Sequence, residues 1–140
     1  MTVPARRFPY SSRSPTLPTG SQSPFLPLVL IGAHRIAVSG LVDSGAAINV
    51  VPYSIGLQLG FDWKRQSQSV ELRGNLESVE AKAIVVSAIV GDFAQVRQAF
   101  AWAESDSVPV ILGQVNFFLE FDVCFFRSQL AFEVRPKGAS

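Results

Sequence analysis

Leu41 to Pro52 reads LVDSGAAINVVP, and the placing of its single acid decides how the rest of the chain is read. Asp43 ends an apolar run and is followed at once by Ser44 and Gly45. Desolvating a carboxylate there is unfavourable unless it is paired, left wet at a turn, or used for chemistry. Asp-Ser-Gly is ordinary turn chemistry, because Asp and Ser side chains bond back to their own backbone. The same residues suit an acid/base carboxylate: a strand presents it rigidly, and Gly45 and Ala46 leave room for another backbone to approach. These few residues alone leave both readings open.

Outward from this stretch, the apolar pattern is that of strands. Phe25 to Gly32 (FLPLVLIG) and Arg35 to Asp43 (RIAVSGLVD) predict a β-hairpin turning at Gly32-Ala33-His34-Arg35. Pro27 falls near the start of the first strand, where a missing donor is tolerated. Ile48 to Pro52 is a further short strand. Tyr53 to Phe61 predicts a short helix, with Pro52 just before it, Gly60 to stop it, and Gly56 as a weak point. Ser69 to Ile89 predicts two strands bent round Gly74-Asn75, and Gly91-Asp92 is a strong turn signal. Phe93 to Ala103 has the aromatic and β-branched content of a strand. Val108 to Gly113 (VPVILG) is an apolar strand ending in glycine, and Gln114 to Phe121 offers a turn or two of helix. VCFF and QLAFEV close the chain as a hairpin across Arg127-Ser128. Many short strands with one or two short helices predict a mostly-β barrel or sandwich.

Composition narrows the function classes. A chain of 140 residues with 48% hydrophobic and 16% charged residues is a single globular domain rather than a disordered one. Its net charge of +1 makes no case for nucleic acid as a partner. No apolar run reaches the roughly 20 residues that span a bilayer, so no membrane is expected as a partner. The N-terminal stretch lacks a secretory apolar region and its prolines break a transit helix, so a cytoplasmic location is expected. Cys124 and His34 are the only residues of their types, which argues against a disulfide, a Cys/His zinc site or any metal, and no cofactor is implied. Cys124 is read as a small buried apolar residue and His34 as an exposed turn residue. Residues 1–24, rich in Ser, Pro and Arg, read as a flexible arm, residues 25–136 as the folded domain, and 137–140 as a tail.

The ordered pair LVDSGA and VILG, with a glycine-tipped hairpin between them and a short helix after them, resembles the single-lobe, retroviral-type aspartic proteases, the retropepsin-like family. The resemblance runs from about Phe25 to Val134. It implies a single-lobe acid-protease β-barrel with its active site at a two-fold dimer interface. It also implies a homodimeric aspartic endopeptidase acting on extended polypeptides at an acidic to near-neutral optimum. Asp43 would supply the carboxylate, Ser44 would bridge the two active-site loops, and Gly45 would admit the substrate backbone. The flap would lie around Leu72 to Val79 with Gly74 at its tip. Leu41, Ala46, Ile48 and Ile111 would line apolar substrate pockets, although for Ile48 and Ile111 a plain core role fits as well.

The chain has one Asp-Ser-Gly, and Asp62, Asp92, Asp106 and Asp122 lack the small neighbours and strand context of a second. A dyad therefore requires two copies. The family's acidic residue and arginine, which brace the dimer, are replaced here by Ala47 and Gln114, so the mode of pairing is expected to differ. The phenylalanines of the C-terminal third, Phe117, Phe118, Phe121, Phe125, Phe126 and Phe132, suggest a shared interface beyond core needs. Two other classes remain: a catalytically silent dimer of this fold that binds peptides, and a small-molecule-binding barrel that works as a monomer.

Overall fold

The computed structural model describes residues 3–12 and 22–138. Strand β1, Arg6–Pro9, precedes the long hairpin β2, Phe25–Ile31, and β3, Arg35–Val42. The hairpin is in register from Phe25 opposite Leu41 to Ile31 opposite Arg35. Alternation buries Leu26, Leu28 and Leu30 and leaves Pro27 exposed, in keeping with a residue that cannot donate to a ladder.

Strand β4, Val50–Val51, leads through Pro52 into helix α1, Tyr53–Gln58. Pro52 is extended (φ −71°, ψ 164°) and so sets the entry, and Gly60 (φ 97°) provides the left-handed residue beyond the end. Gly56, the weak point of the helix, is there for packing. A Cβ at that position would lie 2.1 Å from Nε1 of Trp102. The same Nε1 donates to Tyr53 O at 2.9 Å, so the indole is both packed against the helix and satisfied.

The chain continues through β5, Ser69–Val70, β6, Ala81–Ile89, β7, Val96–Ala103, and β8, Ile111–Leu112. Helix α2 is a single turn, Phe117–Glu120, and the hairpin β9, Phe121–Phe126, and β10, Ala131–Pro136, completes the described chain. Seven strands form one sheet in the order β2-β3-β8-β4-β7-β6-β5, and a further β2–β6 pairing closes it into a barrel. The other sheet has three strands, β1-β10-β9. The fold is mostly β with two short helices, as the strand-rich pattern led us to expect.

The core is dominated by Trp102, Phe100, Phe117, Phe121 and Phe132, all fully buried. Each large apolar side chain withdrawn from water contributes about 1.5–3 kcal/mol. Phe132 is the hub of the small sheet, stacked on Phe8 at 5.6 Å between centroids and edge-on to Tyr10 at 6.1 Å.

Four expectations change. Arg6–Pro9, read as part of a flexible arm over residues 1–24, is instead strand β1, paired from Arg6 opposite Val134 to Pro9 opposite Ala131. Composition hides this because the strand gains its apolar anchor, Phe132, from the far end of the chain. Residues 13–21 of the expected arm lie outside the described residues. The second change is that the hairpin around Gly74 is paired only at Ser69–Val70, and Gly74–Leu76 forms a 3-10 turn. Cys124 is exposed rather than buried, because Phe121 and Val123 take the inward positions of β9. Finally, the phenylalanines divide: Phe117, Phe121 and Phe132 are core, whereas Phe125 stays 39% exposed.

Candidate active site

Asp43 follows the last residue of β3, and its position is fixed from both sides. β3 runs parallel to β8, with Leu41 opposite Ile111 and Val42 opposite Leu112. The Asp43 amide continues that ladder, donating to Leu112 O at 3.0 Å. The loop then closes on itself. Ala46 N donates to Asp43 O at 3.1 Å, and Gly45 N donates to Asp43 Oδ1 at 2.9 Å. The carboxylate is therefore oriented by its own turn, while Ser44 and Gly45 remain exposed beside it. Among the described residues all five ion pairs lie elsewhere, so no lysine or arginine neutralises Asp43. Of the three explanations for an acid at this place, ion pairing is removed; a wet turn and chemistry remain, and the geometry accommodates both.

The loop is bound to the segment after β8 by a set of short links. Gln114 N donates to Ala46 O at 2.9 Å, and Val115 N donates to Ala47 O at 2.8 Å. The side chain of Gln114 donates from Nε2 to Ser44 O at 2.7 Å. Gln114 thus fastens the carboxylate loop of its own chain. Gly113 is required by the closeness of this crossing: a Cβ there would lie 2.5 Å from Ile48 O and 2.6 Å from Ile48 C.

Beneath the crossing lies a polar network for which the sequence reading made no provision. Asn49 is fully buried and Gln98 nearly so. Asn49 Oδ1 accepts from Gly113 N at 2.8 Å, and its Nδ2 donates to Gln98 Oε1 at 2.8 Å and to Ala99 O at 3.2 Å. Asn49 N donates to Asn116 Oδ1 at 2.8 Å, and Gln98 Nε2 donates to Asn116 O at 3.3 Å. No buried side-chain polar atom among the described residues lacks a partner. A fully satisfied buried network of this kind rigidifies its surroundings. One signal was present in the sequence: Gln98 takes an inward position between Val96 and Phe100 on a strand otherwise apolar on that side.

The other sequence-assigned residues fall into two groups. Leu41, Ala46, Ile48 and Ile111 come together at the crossing, all half-buried. Ile48 and Ile111 also pack on a second apolar cluster that includes Val50, Leu72, Val70, Leu76 and Val79. The base of the Gly74 loop therefore rests on the same surface as the residues beside Asp43. At Gly74 itself (φ 67°) a Cβ would meet nothing within 4 Å, so the residue stands open at the loop tip. The loop borders a cavity of about 760 Å³, lined also by Trp63, Glu71, Glu80 and Lys82. No group of His, Cys, Asp or Glu among the described residues is arranged to hold a metal ion. No helix among them is long and apolar enough to cross a membrane.

Comparison of sequences finds no matching family model and no matching curated protein. Comparison of structures does find similar folds. A retropepsin-like aspartic protease from Rickettsia conorii superimposes with a TM-score of 0.65 at 12% identity, covering 94% of this chain and 98% of that one. The EIAV protease complexed with the inhibitor HBY-793 superimposes with a TM-score of 0.53 at 19% identity, covering 70% of this chain and 88% of that one. The fold is that of the retropepsin-like, single-lobe aspartic proteases.

Proposed function

We propose that this chain is an aspartic endopeptidase, active as a homodimer, in which Asp43 of each copy supplies half of a catalytic dyad. The observation that carries the reading is the setting of Asp43: an oriented carboxylate without a cation, on a rigid crossing, in a fold shared with aspartic proteases. Two such carboxyls side by side hold one proton between them, because two like charges so close cannot both ionise. The ionised member removes a proton from a water molecule, whose oxygen attacks the peptide carbonyl. The protonated member donates to the carbonyl oxygen. Collapse of the tetrahedral species breaks the C–N bond, with a proton delivered to the leaving nitrogen.

In this reading Ser44 bridges the two loops and Gly45 leaves backbone access. Leu41, Ala46, Ile48 and Ile111 provide apolar subsites for bulky residues at the cut. The loop from Leu72 to Val79, tipped by Gly74, closes over an extended polypeptide. Neither a metal nor a cofactor has a part. Cleavage of an unstructured protein such as casein, blocked by a statine-type mimic of the tetrahedral species, tests the reading. Tight peptide binding without turnover in the purified dimer would overturn it in favour of a silent binding module.

A further inference from the structure

Gln114 is the first residue after the apolar stretch VILG, and it is exposed. An exposed glutamine is ordinarily solvated and leaves little mark on its surroundings. In this chain both its main chain and its side chain are engaged, and on the same loop. Gln114 N donates to Ala46 O at 2.9 Å, and Gln114 Nε2 donates to Ser44 O at 2.7 Å. The orientation of the side-chain amide is fixed by chemistry, since a carbonyl oxygen can only accept. A single residue therefore grips the chain before and after Gly45.

The peptide between Ser44 and Gly45 carries the consequence. A peptide unit is a rigid plate, with its C=O and N–H pointing to opposite sides. The oxygen of this plate accepts from Gln114 Nε2, and its nitrogen donates to Asp43 Oδ1 at 2.9 Å. Holding the plate at the oxygen aims the N–H at the carboxylate. Hydrogen bonds in a chain also polarise one another, so a donor on the C=O strengthens the N–H as a donor. A bond from that N–H to an ionised carboxylate is of the stronger, charge-assisted kind. The glutamine amide and the carboxylate are thus the two ends of one relay.

We infer that Gln114 is a positioning residue: through the Ser44–Gly45 peptide it holds Oδ1 of Asp43, so that the carboxyl presents Oδ2 in one orientation. The role in turnover rests on the proposed function, whereas the relay itself does not. The residue type suits the task. Asparagine is shorter by a methylene and would fall short of Ser44 O. Arginine or lysine would bring a cation into a loop whose acid no cation neutralises among the described residues. An ionised glutamate would offer no donor and would add a second anion. Glutamine is the long, neutral donor that leaves the charge of Asp43 free. The side chain of Gln114 also lies outside the buried network, whose members are Asn49, Gln98 and Asn116. Its loss therefore leaves the platform and the Gln114 N bond to Ala46 O in place.

The relay can be read without any assay of turnover. In amide proton spectra of the full chain, Gln114→Met, of similar length but without a donor, is expected to move the Gly45 amide proton upfield and to speed its exchange with solvent. Gln114→Asn keeps the amide but not the reach and is expected to do the same, so misfolding of one variant leaves the other as the test. With an unstructured protein or extended peptide as substrate, kcat should fall about tenfold in both while KM stays within about twofold. The thermal unfolding midpoint should barely change, because an exposed side chain is being altered. A merely structural role would instead lower that midpoint and leave the Gly45 resonance of the folded protein in place. A Gly45 resonance that neither variant moves, or a kcat that both leave unchanged, overturns the inference. A moved Gly45 resonance in a protein whose wild type cleaves nothing upholds the relay and counts against the proposed function; an active wild type matched by both variants does the reverse.

Discussion

Two segments meet around Asp43, and they are built in opposite ways. In the crossing, Asn49, Val50, Val51, Leu112 and Gly113 are all buried, and every side-chain amide is engaged. In the loop from Glu71 to Glu80, Leu72 is the one buried residue, and Leu76 and Val79 are half-buried. The crossing is a fixed platform for a carboxylate. The loop is attached by three apolar side chains to the surface of that platform. Elements with few buried contacts open at low free energy, whereas packed and bonded ones open only with the whole domain. The difference teaches that one small barrel sets a rigid part and a lightly attached part side by side.

The largest effect expected on this contrast comes from chemistry alone. On the proposed mechanism, Asp43→Asn keeps the turn but removes the proton exchange, and activity should fall by about 10⁴-fold with the mass in solution unchanged. An active Asp43→Asn dimer would break the contrast at its centre. Gly113→Ala should be the most damaging change to the platform, because the new methyl meets backbone rather than a movable side chain. A loss of about 3 kcal/mol in denaturant unfolding is expected. Asn49→Ala strips the bonds to Gly113 N, Gln98 Oε1 and Ala99 O together and should lower stability by about 2–3 kcal/mol.

The smallest effect should be at the loop. Gly74→Ala places a side chain at φ 67° in open space, with an expected penalty of about 1 kcal/mol. Its signature should be a raised KM for extended peptides. If Gly74→Ala destabilised the domain as much as Asn49→Ala, the division between platform and loop would not hold.

Much of the barrel was legible because its signals are local. Alternation marked β2, β3, β6 and β7, and Gly60 and Gly91 both take the positive φ that turn chemistry asked of them. Asp43-Ser44-Gly45 could be singled out because a carboxylate at the end of an apolar strand is physically odd. What escaped depends on partners distant in sequence. β1 is a strand only because Phe8 meets Phe132, and nothing in a Ser- and Pro-rich stretch announces that contact. The inward side of β9 is set by Phe117 and Phe93 stacking near Phe121, which turns Cys124 outward. The network of Asn49, Gln98 and Asn116 joins three segments, and a lone inward Gln98 gave only one corner of it. Gln114 looked like a lost brace, yet it holds Ser44 of its own chain.

The aromatic packing on α1 gives the molecule an optical gauge. Both tryptophans of the chain sit in one cluster, their rings 5.1 Å apart at 75°. Lys82 places its ammonium 4.5 Å from the Trp63 ring, and Lys82 pairs with Ser69 at the root of the loop from Glu71 to Glu80. Trp63 also faces the cavity beneath that loop, whereas Trp102 is sealed. A ligand that shifts the root of the loop must alter the field on the Trp63 indole. Emission from unlabelled protein should therefore follow movement at the root of that loop in real time.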